Sequence, residues 1–201
     1  MIDKMADYLG VDHQTMVISL IIIAVLFVVI YIKITIDEKK GVDSQEKADI
    51  RKLINNIVPE GGQYMAAYAH SKEVYRTAHS KREVYHYYAV GFRQDRIDHM
   101  WIIPIGVEYG KIVYTEAVRV SAENLACVGG DPGYQLEMHF PDRKDKWIIQ
   151  VSESNTKLGK ECQVNIQQPE EAEAFKKFGE QFQQYVNDTL GVNKKGRKLK
   201  S

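Results

Sequence analysis

The stretch VYHYYAVGFRQDRIDHMWIIPI, Val84–Ile105, decides how the chain is read. Its first half alternates on a two-residue period. Val84, His86, Tyr88, Val90 and Phe92 fall on one face of an extended strand, and Tyr85, Tyr87, Ala89 and Gly91 on the other. RQDR breaks the alternation as a turn, and IDHMWIIPI resumes an extended run. Two adjoining strands of this kind place antiparallel sheet at the centre of the molecule.

Outward from there, the same period returns in KIVYTEAVRV, in the hairpin formed by CVGGDPGYQLEMHF and WIIQVSES, and in CQVNI. The count is about six to eight strands between Gln63 and Ile166, the signature of a small barrel or sandwich. HSKEVY at His70–Tyr75 returns as HSKREVY at His79–Tyr85. The offset reads as two similar turns feeding successive strands of a meander. Helices flank the strands. Asp43 and Glu46 make a capping box before Ile50, Leu53, Ile54 and Ile57, which share a helical face, and Pro59 ends that helix. Pro169 at a first helical position, with Glu170 and Glu171 in the first turn, opens a second helix. Its stripe of Ala172, Phe175, Phe178, Phe182, Tyr185 and Val186 is suited to capping a sheet.

A third helix is read at the amino end. Gln14–Ile32 has no charged residue and contains thirteen Ile, Val, Leu and Phe residues. A helix of about 19 residues rises roughly 28 Å, near the thickness of a bilayer core, and such residues favour insertion by roughly 4–8 kcal/mol in sum. Lys33, Lys39 and Lys40 follow, whereas Lys4 is the single basic residue before it. The positive-inside rule then predicts a single-pass protein of the cell membrane, N-terminus outside and C-terminal domain cytoplasmic, with those three lysines flanking the membrane. The predicted fold class is α+β: one N-terminal transmembrane helix, a linker helix, and a small antiparallel β-barrel or sandwich closed by a C-terminal amphipathic helix. The divisions are an extracytoplasmic segment at 1–13, the transmembrane helix at 14–36, a linker with its helix at 37–60, the β-domain at 61–190 and a disordered basic tail at 191–201.

The strand–turn–Arg–strand pattern of YAVGFRQDRIDHMWIIPI, Tyr88–Ile105, together with the final helix, resembles bacterial pleckstrin-homology-like domains over roughly Gln63–Asn187. The resemblance implies a binding platform for lipid headgroups, peptides or protein partners. The basic cluster of phosphoinositide-binding members is missing from this chain.

Composition excludes several classes. The chain has 201 residues, is 44% hydrophobic and 27% charged, and carries 27 basic against 27 acidic side chains. The neutral balance conceals segregation, because Lys194, Lys195, Arg197, Lys198 and Lys200 lie in the last eleven residues without an acid. Those five cations suit contact with anionic lipid. Without interleaved aromatic residues they do not suggest nucleic-acid binding. Two cysteines, Cys127 and Cys162, read as reduced and partly buried, with one long bridge as the alternative. No His pair has metal-ligand spacing, no nucleophile elbow is present, and GGDPG at Gly129–Gly133 is a turn, not a phosphate cradle. The expectation is therefore a membrane-anchored binding or scaffolding module without cofactor, metal or catalytic residues. Lys81, Arg82, Tyr85 and Tyr87 are its candidate partner contacts, and a pocketed receptor or enzyme is the alternative.

Overall fold

A computed structural model describes residues 12–42, 45–77, 80–108, 111–142, 146–155 and 164–199, with backbone alone at 13, 16, 33–42, 107 and 111. The chain divides into two compact units between Gly41 and Val42, each described by itself.

The first unit contains helix α1, His13–Val42. Its large apolar side chains from Ile18 to Ile32 are exposed on every side of the helix. Among the described residues, no helix is long and apolar enough to cross a membrane. The transmembrane helix, the single-pass placement in the cell membrane and the outside/cytoplasmic orientation are corrected accordingly. The side chains of Lys33, Lys39 and Lys40, expected to flank that span, lie outside the described residues.

The second unit begins with helix α2, Gln45–Ile57, which buries Ile50, Leu53 and Ile54. A short 3-10 turn at Gly61–Gln63 leads into a meander of β1 (Met65–Arg76), β2 (Lys81–Arg93), β3 (Arg96–Glu108) and β4 (Lys111–Tyr114). Strand β5 (Val118–Ser121) also pairs with β3, completing a five-stranded antiparallel sheet. A second sheet comprises β6 (Cys127–Asp131), β7 (Gln135–His139) and β8 (Trp147–Ile149), and a third pairs β9 (Ser154–Asn155) with β10 (Ile166–Gln167). Helix α3, Pro169–Leu190, follows.

Alternation along β2 puts the large sheet in the middle of the molecule. Tyr88, Val90 and Phe92 join Met100, Ile102 and Val120 in a core with Leu136 and Met138 of the second sheet and Phe175, Phe178 and Phe182 of α3. Ala89, facing the other way, joins Ile103, Ile105, Ala66 and Tyr68 beneath Ile50, Leu53 and Ile54 of α2. Both faces of the sheet are thus covered. Tyr185, placed on the apolar stripe from sequence, is 39% exposed.

The expected barrel or sandwich is also corrected: the described strands form open sheets and no barrel closes. One isolated bridge, His70–Gln150, links the first two sheets. Two further edges are met by side chains. The Asn187 amide of α3 accepts from the Val128 N–H (2.9 Å) and donates to its carbonyl (2.8 Å), taking the place of a neighbouring strand on β6. Gln183 Nε2 donates to the Gly129 carbonyl at 2.9 Å. At the other end, Gln168 accepts from the Tyr68 N–H and donates to its carbonyl. Lys47 of α2 reaches Glu171 of α3 at 2.9 Å and ties the two helices together. A side-chain amide matches the donor and acceptor of one strand residue, so a helix can end a sheet that would otherwise continue.

The segment expected as a disordered tail forms a tight turn. Val192 bridges Lys198, Leu199 N–H donates to the Gly191 carbonyl, and the Asn193 side chain accepts from the Lys195 and Arg197 amides. The turn lies against β6, where a Cβ on Gly129 would stand 2.9 Å from the Lys194 carbonyl.

Candidate functional site

The sequence repeat is resolved as one hairpin. HSKEVY lies in β1 and the matching KREVY in β2, and the two run antiparallel as partners: Lys72 opposite Tyr85, Glu73 opposite Val84, Val74 opposite Glu83, Tyr75 opposite Arg82. They are not two turns in succession. Strand β3 pairs with β2 only from Tyr87 to Arg93. Beyond that point, Ser71–Arg76 and Lys81–His86 continue as a two-stranded ribbon.

Charge pairs hold the ribbon together. On one face Glu83 receives Lys81 at 2.6 Å, Lys72 at 3.3 Å and the Tyr85 hydroxyl at 2.6 Å. Lys72 also stands 5.5 Å from the centre of the Tyr85 ring. Hydrogen bonds from Lys81 and then Tyr85 pull the Glu83 carboxyl down to about 2, and the same carboxylate pushes the Tyr85 phenol up. On the other face Glu73 receives the Tyr75 hydroxyl and lies 3.8 Å from His86. Val74 and Tyr75 stay exposed, at 42% and 55%.

Of the expected partner contacts, Lys81, Arg82 and Tyr85 are on this ribbon. Lys81 and Tyr85 share a face and Arg82 is on the opposite one. Tyr87 sits at the ribbon's base, stacked on Tyr68 with ring centres 6.3 Å apart. The expected anionic-lipid contacts Lys194, Lys195, Arg197 and Lys198 are exposed on the C-terminal turn, and Lys200 lies outside the described residues.

A buried polar chain escaped the sequence reading. The Tyr64 hydroxyl lies 2.7 Å from His99 Nε2, and His99 Nδ1 lies 2.8 Å from Asp98 Oδ2. Arg119 approaches Asp98 at 3.7 Å. Burial opposes ionisation of Asp98, but the His99 hydrogen bond and its charge prevail and hold the carboxyl below its usual range. Both ring nitrogens are occupied, Nε2 in the core and Nδ1 by the half-exposed Asp98, so His99 braces the junction between the 3-10 turn and β3. Only the DH pair at Asp98–His99 hinted at it, since Tyr64 is distant in sequence.

The cavities are surface grooves. One, of about 670 Å³, is lined by Ile57, Pro59, Trp101, Tyr114, Thr115, Glu116 and Ala117. Another of about 340 Å³ lies between α2 and β4. Among the described residues, no cluster of three or more His, Cys, Asp or Glu could hold a metal ion. Cys127 is free and buried, with its thiol pushed up by burial and then by Glu137; Cys162 lies outside the described residues. Of the turn expected at Gly129–Gly133, Gly129, Gly130 and Asp131 instead belong to β6, paired with β7, and the turn itself is Pro132–Tyr134. No protein-family model matches the chain, and no curated protein matches it either.

Proposed function

We infer that the protein is a binding module that engages a protein partner through the β1–β2 ribbon. One observation carries this reading: the ribbon leaves the sheet at Tyr87 and continues without a third described strand. An isolated pair of strands is marginal in water, and this one keeps Val74 and Tyr75 exposed on it. Its internal charge pairs provide rigidity, and a rigid projecting hairpin offers both faces to a partner at little entropic cost. The reading draws on the binding-platform expectation from the sequence and assigns no chemistry to the chain.

The test is site-specific photo-crosslinking of the full chain in the cells that make it. A photoreactive residue at Val74 should give a discrete adduct that disappears in an Arg82→Glu background. The same residue at Tyr134, which is 63% exposed on the turn after β6, should not give it. Indistinguishable adduct patterns from the two positions, or no adduct from position 74, would sink the reading.

A further inference from the structure

We propose that the ribbon's partner is an extended acidic polypeptide segment that adds as a strand to the free edge of β2 at Lys81–His86. The inference rests on the ribbon reading above and names what the ribbon binds. Two independent observations lead to it.

The first is the backbone. Among the described residues, Lys81–His86 pair with β1 alone, whereas Tyr87–Arg93 have β1 on one side and β3 on the other. Every second residue of this edge therefore directs its N–H and C=O away from the sheet. Those groups fit a polypeptide backbone, which presents the same alternating donors and acceptors. Neither a lipid headgroup nor a nucleic acid offers that ladder.

The second is the charge left over after internal pairing. Both ribbon glutamates are engaged within the ribbon, Glu83 by Lys81, Lys72 and Tyr85 and Glu73 by Tyr75 and His86. Arg76 and Arg82 have no ion-pair partner among the described residues. Arg76 stands directly opposite Lys81 in the last pair before the turn, where facing like charges are unfavourable. Arg82 lies on the other face. An added strand with its carboxylates on the Arg82 face would meet that cation directly, while its intervening apolar side chains would turn to the other face beside Tyr85; Arg76 lies one strand further away, on β1.

Binding to the full chain is measured with an acetylated peptide of alternating Glu and Val, about seven residues long to match a typical strand. Its Lys/Val counterpart and a Glu/Val peptide methylated on every backbone nitrogen serve as controls. The Glu/Val peptide should bind at least tenfold more tightly than either. It should slow amide exchange along Val84–His86 and lose at least tenfold in affinity in Arg76→Glu/Arg82→Glu. Both residues are exposed, and far-ultraviolet circular dichroism checks that the double variant is folded. Equal binding of the methylated peptide would reduce the interaction to charge alone and overturn strand addition. Tighter binding of single-stranded DNA or of phosphatidylserine vesicles, or no binding of the Glu/Val peptide, would overturn the assignment too. Crosslinking from position 74 separates the two claims: an adduct there without Glu/Val binding leaves the module reading standing and removes only the acidic strand.

Discussion

Glu83 is the residue on which the ribbon's internal order depends. It accepts from Lys81, Lys72 and Tyr85 at once, and its carboxyl is held near 2 against an ordinary 4.5. A depressed carboxyl favours the folded ribbon when ionised. That contribution is complete above about pH 4.5 and is lost as pH falls through about 2. Titration followed at the Glu83 carboxyl carbon should thus show a midpoint well under 4, with Val84 and Tyr85 amides exchanging faster as it protonates. In Glu83→Gln the acid-induced change in those amides should vanish. A Glu83 midpoint in the ordinary range would remove the argument. His99 acts differently, because it is buried between Tyr64 and Asp98. His99→Ala strands the Tyr64 hydroxyl and opens a cavity, so denaturant unfolding should show a loss of about 2–4 kcal/mol. A loss under about 0.5 kcal/mol, within the range of ordinary surface changes, would mean the chain does not brace the core.

Among the elements, α3 does more than cover a sheet. Asn187 and Gln183 supply hydrogen bonds that a strand beside β6 would otherwise provide. Asn187→Ala leaves a buried donor and acceptor without partners and should cost about 1–3 kcal/mol. The amide of Val128 should exchange much faster in the variant, whereas that of Met100, in the middle of the large sheet, should not. Equal acceleration at both would indicate general loosening instead of an opened edge. This device explains what was legible in the sequence and what was not. Alternation in Val84–Phe92 separates Val90 and Phe92 from Ala89 because pleating reports only the local face, and the Phe175, Phe178 and Phe182 stripe reports a helix for the same reason. Whether sheets close depends on who occupies their edges, and an amide side chain some 59 residues away in sequence leaves no periodic trace. The ribbon was misread for a related reason. A repeated EVY motif fixes composition, while its pairing as one hairpin depends on where β3 departs. Lys81, Arg82 and Tyr85 could be singled out by type, but not the fact that they stand beyond the last sheet partner.

At the scale of the whole molecule, the second unit carries its own cores on both faces of its central sheet. Helix α2 belongs to this unit and is no mere linker, since Ile50 and Ile54 are 2% and 0% exposed and Lys47 is tied to Glu171. A fragment spanning Val42–Ser201 should therefore fold cooperatively by itself, with near-ultraviolet circular dichroism from its buried aromatic residues and a single denaturant transition. Moving the start to Val58 removes Ile50, Leu53 and Ile54 from above the sheet. Three buried side chains of that size, at about 1.5–3 kcal/mol each, represent much of the 5–15 kcal/mol typical of a domain. The shorter fragment should be unfolded or should expose apolar surface that binds a hydrophobic dye. If it unfolded at the same denaturant concentration as the longer one, α2 would be an appendage and the sheet's second face would need no cover. If the longer fragment failed to fold, the boundary at Val42 would be wrong and α1 would belong to the folding unit.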